Sequence, residues 1–134
     1  CGERIAEFML RSEPGLHIWG GETVVRLPEH PGRGGRNQML ALAAACKLKG
    51  RSDIHMLAAG TDGTDGNSND AGALVDGGTL QRGREGGFDA SDCLARADAG
   101  NFLEASGDLV YTGPTGTNVM DLVIAFKSGE AAAP

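Results

Sequence analysis

Apolar residues follow two different spacings along this chain. In some stretches they recur every three or four residues, as in amphipathic helices, and in others they form short runs typical of buried strands. We predict helices over residues 3–11, 37–49, 79–84, 90–97 and 101–106, and strands over 16–19, 23–27, 54–59, 109–111 and 122–126. Because helices and strands alternate, the pattern indicates a single α/β layered domain in which helices flank a mixed β-sheet.

The helix over 37–49 and the strand over 54–59 form the expected core. Leu40, Ala44 and Leu48 share one face of this helix, and Gly50 follows as a C-cap. The strand is an almost unbroken apolar run, which is typical of a strand buried on both faces. We therefore expect His55, which lies inside the run, to be a buried histidine with its polar atoms satisfied.

Composition and charge narrow the functional classes. The chain has 134 residues, a net charge of -6 and 4% aromatic residues, which argues against nucleic-acid binding. No apolar run is long enough to cross a bilayer, and we expect neither a signal peptide nor a membrane partner. Three cysteines without metal-type spacing favour reduced thiols and a cytoplasmic location.

Glycines are concentrated in loops between the predicted elements, and they total 22. Such loops let the backbone approach a ligand closely. Four of them also carry polar side chains suited to binding or catalysis. These four loops cover residues 19–22, 31–38, 60–70 and 112–118.

The loop over 31–38 opens the longest predicted helix. The free N–H groups of a helix N-terminus attract anions, and Arg33 and Arg36 add donors suited to phosphate or carboxylate. Arginines at this end oppose the helix dipole, and a bound anion would offset that penalty. The alternative is a surface loop with solvated arginines. The loop matches neither the P-loop nor the dinucleotide-binding pattern.

The loop over 60–70 contains two acidic side chains, Asp62 and Asp65. They could hold Mg²⁺ together with phosphate oxygens and water. An EF-hand is rejected because Asp70 stands where that loop requires glycine. The alternative is an array of Asx turns without a ligand.

The other two loops offer a single carboxylate and a set of hydroxyl and amide groups. After Gly20 and Gly21, Glu22 could order a substrate hydroxyl, although a plain hairpin turn is the alternative. The segment Thr115–Asn118 could donate hydrogen bonds to an anion or a polyol.

Taken in order, the sequences GGET, GRGGRNQ, AAGTDGTDG and TGPTGTNV resemble the MOFRL domain. This is the C-terminal domain of the type II glycerate kinases, a family also labelled hydroxypyruvate reductase. The resemblance covers roughly residues 20–126, and we expect one such domain over 1–134 with a frayed tail at 128–134. The residues of this sequence differ from those usual in the family at Met39, at 67–70 and at 98–101. The resemblance implies packing against a larger N-terminal domain, with the active site in the cleft between them.

The resemblance implies ATP-dependent phosphorylation of D-glycerate, with ATP and Mg²⁺ in the full-length enzyme. Arg33 and Arg36 would bind the glycerate carboxylate or the transferring phosphoryl group, and Asp62 and Asp65 would organise Mg²⁺ or substrate hydroxyls. The substrate-binding residues would be Gly21, Glu22, Asn37, Thr115, Gly116, Thr117 and Asn118. The isolated chain should be inactive, because the family's nucleotide-handling residues include a lysine of the N-terminal domain.

Two other functions stay open at this point. One is a nicotinamide-dependent hydroxypyruvate reductase, against which the missing dinucleotide-binding pattern weighs. The other is a non-catalytic module that binds a small ligand. The sequence also leaves open whether the protein forms a homo-oligomer.

Overall fold

Helices and strands alternate strictly only as far as residue 60. The structure is a computed structural model, and it describes residues 1–22 and 26–129. The helices are α1 Gly2–Arg11, α2 Arg36–Leu48, α3 Thr79–Glu85, α4 Ala90–Ala95 and α5 Ala99–Ser106. The strands are β1 Gly15–Gly21, β2 Ile54–Gly60, β3 Gly72–Asp76, β4 Leu109–Val110 and β5 Asp121–Lys127. Across these two ranges, no helix combines the length and the apolar character needed to span a bilayer.

The strands form one sheet in the order β1-β5-β2-β3-β4. The predicted α/β class is confirmed, but the prediction of a mixed sheet is wrong, since every neighbouring pair is antiparallel. A parallel pair needs a crossover connection, usually a helix. In this chain β2 returns as β3 through a loop, and β5 enters between β1 and β2 antiparallel to both.

Most predicted elements lie within a few residues of the observed ones. The short run over 71–75 predicts neither a helix nor a strand by its spacing, and in the structure it overlaps β3. Residues 23–25 of the predicted strand 23–27 lie outside the described residues, and Arg26 and Leu27 belong to no strand. Of the expected frayed tail, Ser128 donates its N–H to the carbonyl oxygen of Asp53, and residues 130–134 lie outside the described residues.

The core lies between one face of the sheet and the helices. Met56 and Val75 point from the sheet towards α2, which also contacts α1 and α5. Because α2 is enclosed on several sides, it buries Leu42 as well as the predicted Leu40 and Leu48. The core is completed by side chains such as Met9 and Phe102.

The opposite face of the sheet carries His55. Successive side chains of a strand point to opposite faces, so Met56 and Ala58 enter the core while His55 does not. The prediction of a buried His55 is wrong, because the apolar run of β2 is buried on only one face in the described residues.

One edge of the sheet gathers three of the glycine-rich loops. Asp121, the first residue of β5, pairs with Gly21 at the end of β1 and with Gly60 at the end of β2. The segments that continue from these three residues therefore leave the sheet side by side. We call this edge, defined by Gly21, Gly60 and Asp121, the loop edge.

Candidate functional site

Arg36, the first residue of α2, reaches the loop edge and pairs there with two carboxylates. Its Nε and Nη2 donate to the two oxygens of Asp121, the second contact measuring 3.2 Å. Nη2 also lies 3.2 Å from Oε1 of Glu22. The hydrogen bond with Asp121 raises the pKa of Arg36 above its ordinary value, so the guanidinium stays charged.

The two acidic partners of Arg36 differ in exposure. The side chain of Asp121 is 6% exposed, whereas that of Glu22 is 55% exposed. A buried carboxylate with two charge-assisted hydrogen bonds fixes the position of the guanidinium. The contact with Glu22 is a surface ion pair of small net strength. Arg36 is thus held firmly on one side and loosely on the other.

Arg36 lines a polar cavity of about 330 Å³ at the loop edge. This cavity, called the polar pocket below, is surrounded by side chains from all four loops and from β5. Its lining residues are Glu22, Arg36, Asp62, Thr64, Asp65, Gly66, Asn118, Met120 and Asp121.

Asp65 is buried beneath the polar pocket and caps α2. Its Oδ1 accepts the N–H of Asn37 at 3.0 Å and the side-chain amide of Asn37 at 3.2 Å, while Oδ2 accepts the N–H of Gln38 at 2.8 Å. Burial raises the pKa of Asp65 against the opposing effect of these hydrogen bonds. The N–H groups of Asn37 and Gln38 at the start of α2 are thus used by a carboxyl group of the same chain.

Asp62 remains accessible in the polar pocket. Its Oδ1 accepts the N–H and the hydroxyl of Thr64 at 3.0 and 3.1 Å. The hydrogen bond from the Thr64 backbone lowers the pKa of Asp62, which keeps the carboxylate ionised. The structure therefore gives the two aspartates of this loop different surroundings, one open and one enclosed.

Arg33 does not join Arg36. Its guanidinium donates to Glu104 at 2.7 Å and to Asp70 at 3.2 Å, and the hydrogen bond with Glu104 raises the pKa of Arg33. Its backbone N–H donates to Asp98 at 2.8 Å. The structure therefore does not place the two arginines in one clamp, and this geometry favours a role for Arg33 in fastening its loop to α5.

The loop over 112–118 is fastened to the loop that follows β2. The hydroxyl of Thr115 donates to the carbonyl oxygen of Thr61, and the hydroxyl of Thr61 accepts the N–H of Val119 at 2.8 Å. Residues 115–118 are exposed, and Asn118 reaches the lining of the polar pocket. Of the predicted substrate-binding segment, the structure thus brings Asn118 to the site and engages the Thr115 hydroxyl elsewhere.

Two glycines let the loop before α2 and the loop after β2 lie against each other. A Cβ on Gly35 would stand 2.4 Å from the carbonyl carbon of Asp65. Gly66 has a φ of +62°, and a Cβ there would stand 2.4 Å from the carbonyl oxygen of Gly34. Both distances are shorter than any side chain allows, so this packing requires glycine.

Gly66→Ala should lower the free energy of unfolding by more than the positive φ alone explains. The left-handed conformation costs a non-glycine residue about 1–2 kcal/mol, and the clash with Gly34 adds to that. The matched control is Gly50→Ala, since Gly50 has a φ of +83° but open space around it. Urea unfolding of both variants measures the difference, and equal losses would contradict the close packing of Gly66 on Gly34.

A second cavity, of about 700 Å³, lies on the other side of the ion pair between Arg36 and Glu22. These two residues and Gly66 line both cavities. The rest of its wall is mainly apolar or glycine, with Leu27, Met39 and Ala97 among the lining residues.

The family model described as "MOFRL family" matches residues 15–121 of this chain. The chain belongs to the MOFRL family. A D-glycerate 2-kinase of Thermotoga maritima is 49% identical to it over 112 residues, and a glycerate 2-kinase of Pyrococcus horikoshii is 44% identical over 119 residues. These matches cover 84% and 87% of this chain but 27% and 26% of the relatives.

A solved structure shows the same fold as this MOFRL chain. The crystal structure of glycerate kinase from Thermotoga maritima superposes with a TM-score of 0.89 and 44% sequence identity. The match covers 94% of this chain and 32% of that chain. This MOFRL domain is thus about a quarter to a third of the length of the proteins that it matches.

Asp121 was not among the predicted site residues of this MOFRL domain. It contacts Arg36 from 85 residues along the chain, and no spacing rule connects the two. The available signal was an acidic residue directly before the apolar run of β5, next to the loop over 112–118. The preceding residue, Met120, has a φ of +71°, so strained backbone leads into Asp121.

The acidic side chains of the polar pocket differ in how much of their acceptor capacity is free. No group of three or more His, Cys, Asp or Glu side chains lies close enough within residues 1–22 and 26–129 to hold a metal ion. Asp65 accepts three N–H donors, two through Oδ1 and one through Oδ2, which uses most of its acceptor capacity. This geometry favours Asp65 as a structural cap, and it leaves Asp62 as the accessible carboxylate.

Proposed function

We propose that this chain is the C-terminal domain of a glycerate kinase and binds D-glycerate in the polar pocket during ATP-dependent phosphorylation to phosphoglycerate. The observation that carries the proposal is the charged Arg36, held by buried Asp121 inside a small polar cavity. The kinase names of the relatives, at 44–49% identity, support the same reaction.

Arg36 would bind the carboxylate of glycerate or the phosphoryl group in transfer. Its contacts within the described residues use Nε and Nη2, so the two donors of Nη1 are available for an anion. An incoming anion would also displace Glu22 from Nη2, because that surface ion pair is weak. Glu22 would then be freed to accept a hydrogen bond from a substrate hydroxyl.

Asp62 and Asn118 would contact the hydroxyl groups of glycerate. Both line the polar pocket, and together they offer an ionised carboxylate acceptor and an amide with donor and acceptor atoms. Asn37 would act indirectly, since its backbone and side-chain N–H groups hold Asp65. Gly21, Thr115, Gly116 and Thr117 do not line the polar pocket, and they would act by positioning their neighbours Glu22 and Asn118.

The larger part of the polypeptide would supply the nucleotide site. Phosphoryl transfer depends mostly on positioning and on stabilising charge, so a domain that binds one substrate contributes without a nucleophile of its own. ATP, and any Mg²⁺ that accompanies it, would reach the polar pocket from the facing domain.

Two coupled assays on the full-length protein separate the proposed kinase from a reductase. We expect ADP formation that depends on D-glycerate, and no oxidation of NADH or NADPH with hydroxypyruvate. The reverse result would overturn the proposal. Phosphoglycerate identified by mass spectrometry would also show which hydroxyl receives the phosphoryl group.

Asp121→Asn in the full-length protein should lower kcat/KM for glycerate by about tenfold, since Arg36 loses one of its charge-assisted hydrogen bonds. Asp121 acts as a positioning residue, so we expect a larger change in KM than in kcat. The control is Asp53→Asn, because Asp53 forms a comparable bidentate pair with Arg51 outside the polar pocket. A steady-state comparison in which both variants lose equally would assign Asp121 to stability alone.

A further inference from the structure

The face of the sheet opposite the helices is apolar across four neighbouring strands. By register, Ile18, Ile124, Leu57 and Leu74 form one row across β1, β5, β2 and β3. Ile18 at the near end is 59% exposed and Leu74 at the far end is 47% exposed. A row of large aliphatic side chains in contact with solvent is unusual for an isolated domain.

A second row extends this surface. Leu16 on β1 pairs with Phe126 on β5, and the two side chains are 59% and 47% exposed. We call the surface formed by the apolar residues of both rows the open face; it comprises Leu16, Ile18, Leu57, Leu74, Ile124 and Phe126, and His55 lies beside Phe126 in the second row. No helix within residues 1–22 and 26–129 covers it, because the helices lie over the face that carries Met56 and Val75.

The sequence of β5 also indicates that both faces of the sheet are covered. Residues 122–126 are apolar without interruption. A strand with one solvated face alternates between apolar and polar residues, whereas a continuous apolar run is typical of a strand buried on both sides. Val123 and Ala125 are buried, while Phe126 remains exposed. The intact protein is therefore expected to contain a layer that this domain lacks.

The length of the relatives points to the source of that layer. This chain spans 27% of the glycerate kinase of Thermotoga maritima and 26% of that of Pyrococcus horikoshii, so most of each relative lies outside the matched region. The open face also adjoins the loop edge, because Leu122 directly follows Asp121 and faces the same side as Ile124. A layer packed there would place further backbone beside the polar pocket.

We infer that the open face is the surface on which the larger remaining part of the same polypeptide packs, through an apolar layer of its own. An apolar sheet face is buried against helices or against a second sheet, and another domain on the same chain is present at high effective concentration. The alternative occupant is a second copy of the protein. Two observations thus favour a second domain of the same polypeptide as the partner. The exposed rows are apolar, and this chain spans only about a quarter of the length of its relatives.

Cysteine labelling of the intact polypeptide tests this inference without using enzymatic activity. Ile18→Cys and Leu74→Cys report on the open face, and Gln81→Cys on the exposed surface of α3 is the matched control. Peptide mass spectrometry after maleimide treatment distinguishes these thiols from Cys1, Cys46 and Cys93. Leu16→Cys replaces either open-face variant if that variant fails to fold.

We expect both open-face thiols to react at least fivefold more slowly than Cys at position 81 in the monomeric protein. A smaller difference would overturn the inference. Protection that appears only in a dimer and disappears on dilution would also overturn it, since the cover would then be a second copy. Loss of glycerate kinase activity has no bearing on this readout, so failure of the proposed function is distinguished from failure of the inferred interface.

Discussion

Arg36→Ala in the full-length protein is expected to lower kcat/KM for D-glycerate by roughly 100- to 1,000-fold, the range for loss of a charged group that stabilises a transition state. The physical reason is that Arg36 is the cation that lines the polar pocket, and Asp121 fixes its position. Removing the guanidinium also leaves a buried carboxylate without its partner. Steady-state kinetics with varied glycerate measures the loss.

Arg33→Ala is the matched control for this experiment, because it removes an arginine three residues away in the same loop. Arg33 pairs with Asp70 and Glu104 outside the polar pocket. We expect kcat/KM to stay within about threefold for Arg33→Ala, as for loss of a partly exposed ion pair. A loss below twofold in Arg36→Ala would contradict the assigned role, and so would equal losses in both variants.

Asp65→Asn is expected to lower the free energy of unfolding by about 2–3 kcal/mol, from the loss of a helix cap and of buried hydrogen bonds. The carboxylate accepts three N–H donors through two oxygens. An asparagine offers one oxygen and would turn an NH₂ group towards a backbone N–H. Denaturant unfolding measures the change, and the control is Asp92→Asn in an exposed i,i+4 pair, expected to change stability by less than about 0.5 kcal/mol.

The same residue gives the stability of the domain a pH dependence of definite sign. Burial raises the pKa of Asp65 above its ordinary value, so the folded state binds its proton more tightly than the unfolded state does. Stability from this residue is therefore greatest below the unfolded pKa of about 4, and it falls as pH rises through the folded pKa. In Asp65→Asn this contribution is absent. Urea unfolding of both proteins across this pH interval measures the difference, and a contribution from Asp65 that rises with pH would contradict the expected sign.

The spacing of apolar residues predicted the positions of most helices and strands, but it did not predict the order and direction of the strands in the sheet. The apolar spacing of α2 and the runs in β2 and β5 predicted these elements close to their observed bounds. Strand order depends on contacts between distant segments, and β5 enters between β1 and β2 from the far end of the chain. The prediction that His55 is buried fails for a related reason. The apolar run of β2 does not indicate which faces of the sheet are covered.

The sequence predicted which loops form the candidate site, but it did not predict the role of each side chain in them. Arg33 and Arg36 look equivalent in sequence, yet they pair with different acids. Asp62 and Asp65 look equivalent as well, and only the fold shows that Asp65 caps a helix that begins 29 residues earlier. Asp121 belongs to none of the sequence motifs that mark the four loops. Each of these distinctions depends on a long-range contact, which spacing along the chain does not encode.

A crystal structure of the intact protein with D-glycerate would show whether Arg36 binds the substrate. We expect glycerate in the polar pocket, with its carboxylate or a phosphoryl mimic within hydrogen-bond distance of the Arg36 guanidinium and Glu22 moved away from Nη2. Glycerate bound elsewhere, with the pair between Arg36 and Glu22 intact in the liganded protein, would contradict this expectation.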